Sequence, residues 1–318
     1  MAQVGALRLN KLKMAQMHEH ILTPTKLEGL AVSAPPQSTI AADTLPVFPL
    51  TNGQELEVLA FLAKRPLHTV VIAGHVRDNG LESSFNRGRF YACRDAEGRL
   101  KGVALIGHVT LIETRSEAAV ATFASLAQPC SDIHMILGEQ EKIERFWKYY
   151  ERVGQAPRRV CRELLFEQQW PVQARESVPD LRLATLADLE NVMVVQDQMA
   201  FAESGINPLE VDPEGFRTRY ARRISNQRVW VWVENEQLIF KADVISETPE
   251  AIYLEGIYVN PEHRCKGIGT RCMSQLCHAL LTRTVSLCVF VNEQSQRARS
   301  FFEDLGFKLR GCYDTIFL

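Results

Sequence analysis

The sequence predicts a mixed α+β protein made of two similar halves. Three observations carry this. Strand-like and helix-like stretches alternate from Leu45 to about Gln169 and again from Leu181 to Leu318, the pattern of sheets flanked by helices. In the first half Arg89-Phe90-Tyr91-Ala92-Cys93-Arg94, a polar turn through Gly98 and Leu100-Lys101-Gly102-Val103-Ala104 read as a hairpin. In the second, Arg228-Val229-Trp230-Val231-Trp232-Val233, a turn at Glu234-Asn235-Glu236 and Leu238-Ile239-Phe240-Lys241-Ala242 repeat it. Finally, Ile136-Leu137-Gly138-Glu139-Gln140 leads into a helix bearing Phe146 and Trp147, and Phe290-Val291-Asn292-Glu293-Gln294 leads into one bearing Phe301 and Phe302. Between corresponding points the second half is the longer, and its extra residues fall where its most distinctive motif lies.

In chain order, residues 1–44 are punctuated by Pro24, Pro35 and Pro36 and hold no apolar period, so an extended or partly disordered lead-in is expected, with Met14 and Met17 as alternative starts. Its His18-Glu19-His20 triplet suggests a metal, but His residues two apart share a face only on a strand and no further ligands sit nearby. It reads as a charged N-terminal segment, and no metal is expected. A first domain spans 45–170, a Pro-flanked polar connector 171–180, and a second domain 181–318.

The 318 residues include 36 Lys and Arg against 38 Asp and Glu, a formal charge of −2. This balance argues against a nucleic-acid partner or an anionic membrane surface. With 46% hydrophobic and 23% charged residues the composition is that of a folded chain. No stretch approaches the roughly 20 apolar residues that cross a bilayer, and residues 1–16 lack the apolar run of a secretory signal, so the cytoplasm is the expected compartment. Eight cysteines without a Cys-x-x-Cys pair read as reduced thiols.

The motif that carries chemistry lies in the second half. Ala251-Ile252-Tyr253-Leu254-Glu255-Gly256-Ile257-Tyr258-Val259 reads as a strand that Asn260-Pro261 stops. Arg264-Cys265-Lys266-Gly267-Ile268-Gly269-Thr270 follows, and then a helix with Met273, Leu276, Cys277, Leu280 and Leu281 at the 3.6 period. A strand, a glycine loop and a helix start form an anion seat: glycine lets the backbone turn, and free N–H groups plus the helix dipole hold a diphosphate. Arg264, Lys266 and Arg271 add local positive charge. The loop fits neither the dinucleotide pattern nor a P-loop.

Arg-x-x-Gly-x-Gly after a strand ending Val-x-Pro resembles the acyl-CoA pyrophosphate loop of the GNAT superfamily of N-acetyltransferases. The strand 284–291 ending at Asn292, then Ala298, the aromatic pair and Leu305-Gly306-Phe307, look like the fifth strand and next helix of that fold. Phe201-Ala202-Glu203-Ser204-Gly205, Phe216-Arg217-Thr218-Arg219-Tyr220 and Phe240-Lys241-Ala242 further resemble an uncharacterised two-domain bacterial subgroup with a divergent N-terminal half. The resemblance implies tandem GNAT-like domains, each a mixed, mainly antiparallel twisted sheet flanked by helices, the first without a CoA loop.

It also implies acetyl-CoA as acyl donor, an amine as acceptor, and a monomer or homodimer. The two strands flanking the donor would splay, and the pantetheine arm would pair with Ile257, Tyr258 and Val259. A backbone N–H near Tyr258 or Val259 would serve as oxyanion donor. Arg264, Cys265, Lys266, Gly267, Ile268, Gly269 and Thr270 would hold the diphosphate, with Asn292 and Phe302 lining the donor site. Arg297 or Arg299 would meet the 3′-phosphate; the plain alternative for both is a solvated helix face. Glu255 is the candidate for amine binding or proton removal, against facing solvent or pairing with Lys241; Glu203 is the alternative carboxylate. Where the family commonly places a leaving-group Tyr this chain has Phe302, which leaves Tyr313, Tyr258 or water to protonate the thiolate, and which motivates a second hypothesis, a non-catalytic acyl-CoA-binding or sensing module. Cys265 reads as a tolerated small side chain rather than a nucleophile. The arginines of the helix over 212–225 read as a solvated face or, less simply, a lure for an acidic substrate. Trp230 and Trp232 read as core packing first and an acceptor-pocket wall second.

Overall fold

The computed structural model describes residues 45–318 except residue 174; the lead-in and its His18-Glu19-His20 triplet lie outside the described residues. In chain order the elements are β1 (Val47–Pro49), α1 (Glu55–Leu62), α2 (Pro66–Asn79), β2 (Gly88–Arg94), β3 (Leu100–Gly107), β4 (Val109–Thr114), α3 (Glu117–Ala127), β5 (Met135–Glu139), α4 (Gln140–Tyr150), β6 (Arg159–Gln168), β7 (Arg182–Leu183), α5 (Leu189–Ser204), α6 (Pro208–Val211), α7 (Pro213–Ser225), β8 (Val229–Glu234), β9 (Gln237–Glu247), β10 (Ala251–Val259), α8 (Ile268–Leu280), β11 (Ser286–Asn292), α9 (Gln296–Asp304) and β12 (Lys308–Phe317).

The repeat read from the sequence is carried by one twelve-stranded sheet, in the order β1-β2-β3-β4-β5-β12-β6-β11-β10-β9-β8-β7. Both hairpins form, β2 with β3 and β8 with β9, each with one register shift near its turn. Pairing is antiparallel except twice, β4 with β5 and β10 with β11, at corresponding places in the two halves. The last strands are exchanged: β6 of the first half pairs with β11 of the second, and β12 of the second pairs with β5 of the first. Where they meet, β6 and β12 pair from Lys308↔Glu167 to Phe317↔Arg159, so no seam divides the sheet.

Period-2 alternation decides which helix each strand face meets. In β3, Val103 and Leu105 join Val58, Ile72 and Val76 of α1 and α2, whereas Ala104 and Ile106 join Val120 and Phe123 of α3 and Phe146 of α4. In β8, Val229 and Val231 join Val192 of α5 and Phe216 and Tyr220 of α7. Trp230 and Trp232 pack against the opposite cluster around α8, the core role read first for them, although both indole N–H groups are buried without an acceptor.

The structure corrects two expectations outside the site. Residues 171–180 are not a free polar connector: Val172 and Val178 are buried in the α8 cluster, Ser274 Oγ donates to the Gln173 carbonyl at 2.6 Å, and the Val178 N–H donates to Gln275 at 2.8 Å. Nor are the arginines of α7 a free solvated face. Arg217 pairs with Glu190, Arg219 with Asp212 at 2.9 Å and Arg223 with Asp243 at 3.3 Å. Arg222 donates to Asn79 at 2.8 Å and lies 4.1 Å over the Phe85 ring, tying the halves together. No described helix is long and apolar enough to cross a membrane.

A candidate acyl-donor and acceptor site

Strands β10 and β11 run paired from Ala251↔Ser286 to Leu254↔Val289 and then part. Beyond that point β11 continues on β6 and β10 continues on β9, so a wedge opens between Glu255–Val259 on one side and Phe290–Asn292 on the other. The separation coincides with a bulge. Glu255 pairs with Asp243 and Tyr258 with Lys241, one residue more on β10 than on β9, and Gly256 sits inside it at φ +61°.

At the end of β10, residues 260–267 form the loop before α8. Asn260 fastens it: its N–H donates to the Ile239 carbonyl at 2.9 Å and its side chain accepts from the Glu262 N–H at 3.1 Å. Gly267, at φ +74°, is the N-cap of α8; no side chain caps the helix, its first turn holds no acid, and a Cβ at Gly267 would meet nothing within 4 Å. The first-turn amides therefore face open space, the arrangement that holds an anionic oxygen cluster. Arg264, Cys265 and Lys266 are exposed around it, Arg264 donating to the Val259 carbonyl at 3.0 Å. Arg271 is engaged with Glu176 at 2.9 Å, so the free charge at the loop is that of Arg264 and Lys266.

Arg297 reaches the same loop, donating to Cys265 Sγ at 3.5 Å, whereas Arg299 turns inward with its Nε buried and unpartnered. Ile268 is buried in the core; Thr270 is half-buried at the first turn of α8. Ile257 and Val259 pack toward α8, and Tyr258 packs toward α5 and α7. Asn292 is exposed, accepting the Gln294 N–H at 2.9 Å. Phe302 is 6% exposed and meets Phe301 and Phe307 edge to face within the core. Its neighbour Phe301 borders the helix start instead: a Cβ at Gly269 would lie 3.3 Å from the Phe301 ring and 3.2 Å from Val259. Tyr313 stands elsewhere, its hydroxyl 2.7 Å from His68 Nδ1.

Carboxylates gather on the other side of the wedge. Glu255 accepts from the Tyr253 hydroxyl at 3.0 Å. It does not pair with Lys241, which binds Asp243 at 2.8 Å. Glu203 lies in the last turn of α5, where the carbonyls of Ala202 and Glu203 accept from Arg159 at 3.0 and 2.6 Å. Glu163, from β6 of the first half, accepts from Thr315 at 2.5 Å. The three acids feel one another. Burial first, then the charges of Glu255 and Glu163, push Glu203 up to about 8, against the exposure of the residue and the pull of Arg159; burial also pushes Glu163 up, with Glu255 adding to it. Among the described residues none of the three is in an ion pair, and the shift favours the protonated form of Glu203.

Sequence reasoning missed Glu163 and the tie of Tyr253 to Glu255, and it gave the donor site to Phe302 where Phe301 borders the helix start. No local motif marks them; only the exchange of β6 and β12 brings Glu163 to the second half.

The first half parts its strands in the same way, β4 and β5 pairing from Val109↔Met135 to Leu111↔Leu137. That wedge is crossed by ion pairs, around a small cavity lined by Leu111, Glu113, Leu137, Glu139, Lys142 and Tyr313. Lys142 Nζ lies 2.6 Å from Glu113 and 3.0 Å from Glu139, and Arg65 lies 3.2 Å from Glu113 and 2.5 Å from Glu139. Only Arg115 and Ser116 separate β4 from α3; Ser116 caps the helix and Glu117 makes its first turn acidic. The Ser116 cap and the Glu117 charge disfavour an anion at that helix start, although Arg115 is exposed beside it.

Residues 195–307 match the model of the acetyltransferase (GNAT) family. Among solved structures, a Drosophila protein is 12% identical with a TM-score of 0.63, covering 86% of this chain and 99% of its own. A GNAT-family acetyltransferase from Colwellia psychrerythraea is 11% identical with a TM-score of 0.53, covering 86% of this chain and all of its own, 100%. A tandem GNAT protein from the clavulanic acid biosynthesis pathway is 14% identical with a TM-score of 0.53, covering 85% and 98%. No curated protein sequence matches the chain. Residues 195–307 thus match the acetyltransferase (GNAT) family, and the chain as a whole shares the fold of these solved structures, a tandem GNAT protein among them.

Proposed function

We propose that the chain is an N-acetyltransferase that moves the acetyl group of acetyl-CoA to a primary amine of a small molecule or peptide by direct attack in a ternary complex. One observation carries this reading: the open N-terminus of α8 stands beside a parallel strand pair that stops at Leu254 and Val289. The amides suit a diphosphate, and the freed strand edge suits an extended pantetheine arm. The match of residues 195–307 to the GNAT family supports acyl transfer from acyl-CoA in general.

The amine adds to the thioester carbonyl, a C–N bond forms and the C–S bond breaks, while a backbone N–H near Tyr258 or Val259 stabilises the oxyanion. A lysine-like amine costs about 4.6 kcal/mol to deprotonate at pH 7, an α-amine about 1.4. Glu255 is the group for this task, because Glu203 holds its own proton and acts as a hydrogen-bond donor instead. Three acidic side chains without an ion-pair partner among the described residues favour an acceptor that arrives as an ammonium. The thiolate, with a pKa near 8.5, leaves readily enough for water to protonate it, so Phe302 does not forbid turnover.

The absence of a tyrosine at Phe302 favours a second reading, an acyl-CoA-binding or sensing module. Thiol release from acetyl-CoA across a panel of primary amines separates the two. The transferase gives release above background, cut about 10²–10⁴-fold by Glu255→Gln with acetyl-CoA affinity kept within about threefold. Binding without turnover on any amine leaves the module.

A further inference from the structure

We propose that Lys241 is a positioning residue of the acyl-donor cleft: its ammonium holds the Gly256 carbonyl and, through it, the bulge that parts β10 from β11. The proposal rests on the acyl-donor assignment of that cleft.

Lys241 is 0% exposed. A buried ammonium is costly unless each of its three protons meets an acceptor. Here all three do: Asp243 at 2.8 Å, the Gln196 side-chain oxygen at 2.9 Å and the Gly256 carbonyl at 3.1 Å. Asp243 in turn accepts from the Tyr220 hydroxyl at 3.2 Å and from Arg223 at 3.3 Å, so the anchor is braced by β9, α5 and α7 together.

The carbonyl it holds belongs to Gly256, which with Ile257 makes the pair of residues that the ladder leaves unmatched. Between Glu255↔Asp243 and Tyr258↔Lys241 the strand β10 carries one residue too many, and its pairing with β11 ends one residue earlier, at Leu254. Bulges bend a strand and re-aim the residues beyond the bend. At Gly256 that bend turns Ile257, Tyr258 and Val259 away from β11. Gly256 fits only as glycine: at φ +61°, a Cβ would lie 2.6 Å from Lys241 Nζ and 3.1 Å from both Asp243 and Gln196. A sheet strand needing only packing would carry an apolar side chain at position 241. The lysine is explained by the carbonyl.

Two variants of the full chain test this. Lys241→Met with Asp243→Asn removes both charges of the anchor at once and leaves Arg223, the other partner of Asp243, an amide oxygen to donate to in place of the carboxylate. Gly256→Ala strikes the bulge from the other side without altering charge, and serves if the first variant does not fold. Each is titrated with acetyl-CoA and with 3′-phosphoadenosine 5′-diphosphate, which has the diphosphate but no pantetheine arm. The expected result is 3′-phosphoadenosine 5′-diphosphate affinity within about threefold of wild type, acetyl-CoA affinity weakened at least about tenfold, and any amine-dependent turnover lowered more than about thirtyfold. Acetyl-CoA affinity unchanged, or both ligands weakened equally, overturns the positioning role. A wild type that binds neither ligand removes the acyl-donor reading itself, a different failure.

Discussion

At the scale of single residues, charge balance distinguishes the two halves. In the first, Glu113 and Glu139 have Lys142 and Arg65 built in beside them, so their carboxylates are permanently neutralised. In the second, Glu163, Glu203 and Glu255 act on one another and, among the described residues, none of them is in an ion pair, Arg159 acting on Glu203 only from a distance. The resulting shift makes a stability prediction. Glu203 ionises near pH 4.3 when unfolded, at about 8 in the fold, so its neutral form stabilises the protein fully below the first value and loses that contribution as pH rises through the second. Glu203→Gln stays neutral at every pH. It should raise the melting temperature by about 2–4 °C at pH 9 and leave it nearly unchanged at pH 5, followed by differential scanning calorimetry. An equal shift at both values contradicts the raised pKa.

At the scale of elements, two helix starts after two parallel-paired strands show what an anion site requires. Helix α3 begins two residues after β4, capped by Ser116 with Glu117 in its first turn; α8 begins after an eight-residue loop, at Gly267, with neither cap nor acid. Gly267→Asp would place a carboxylate in the seat of the diphosphate. The stabilisation of the protein by acetyl-CoA in a thermal-shift assay should vanish, while the unliganded protein loses only the about 1–2 kcal/mol of stability that a left-handed non-glycine residue costs. A ligand-induced shift equal to that of wild type contradicts the assignment. This element was legible in the sequence, since Asn260-Pro261 stops the strand and the glycines open the turn by their own chemistry. The bulge was not, because Glu255-Gly256-Ile257 alternates like any strand and only the register against β9 shows the extra residue. Glu163 was equally hidden: the 159–168 pattern declares a strand but says nothing of its neighbour.

At the scale of the whole molecule, the duplication read from paired hairpins becomes one sheet in which each half lends its last strand to the other. That exchange gives the first half a part in the second half's chemistry. Through β6 it sets Glu163 beside Glu255 and Glu203, and through α2 it lays Val70 over Tyr253 and Cys288. It also explains why one half can lose its donor loop: the fold is retained for the sheet it completes, with its own wedge crossed by ion pairs. The central claim is that one of the two wedges, the second, holds the acyl donor. Isothermal titration of the full chain with acetyl-CoA tests it most directly. One site per chain is the result this arrangement predicts; two sites, or none, would contradict it.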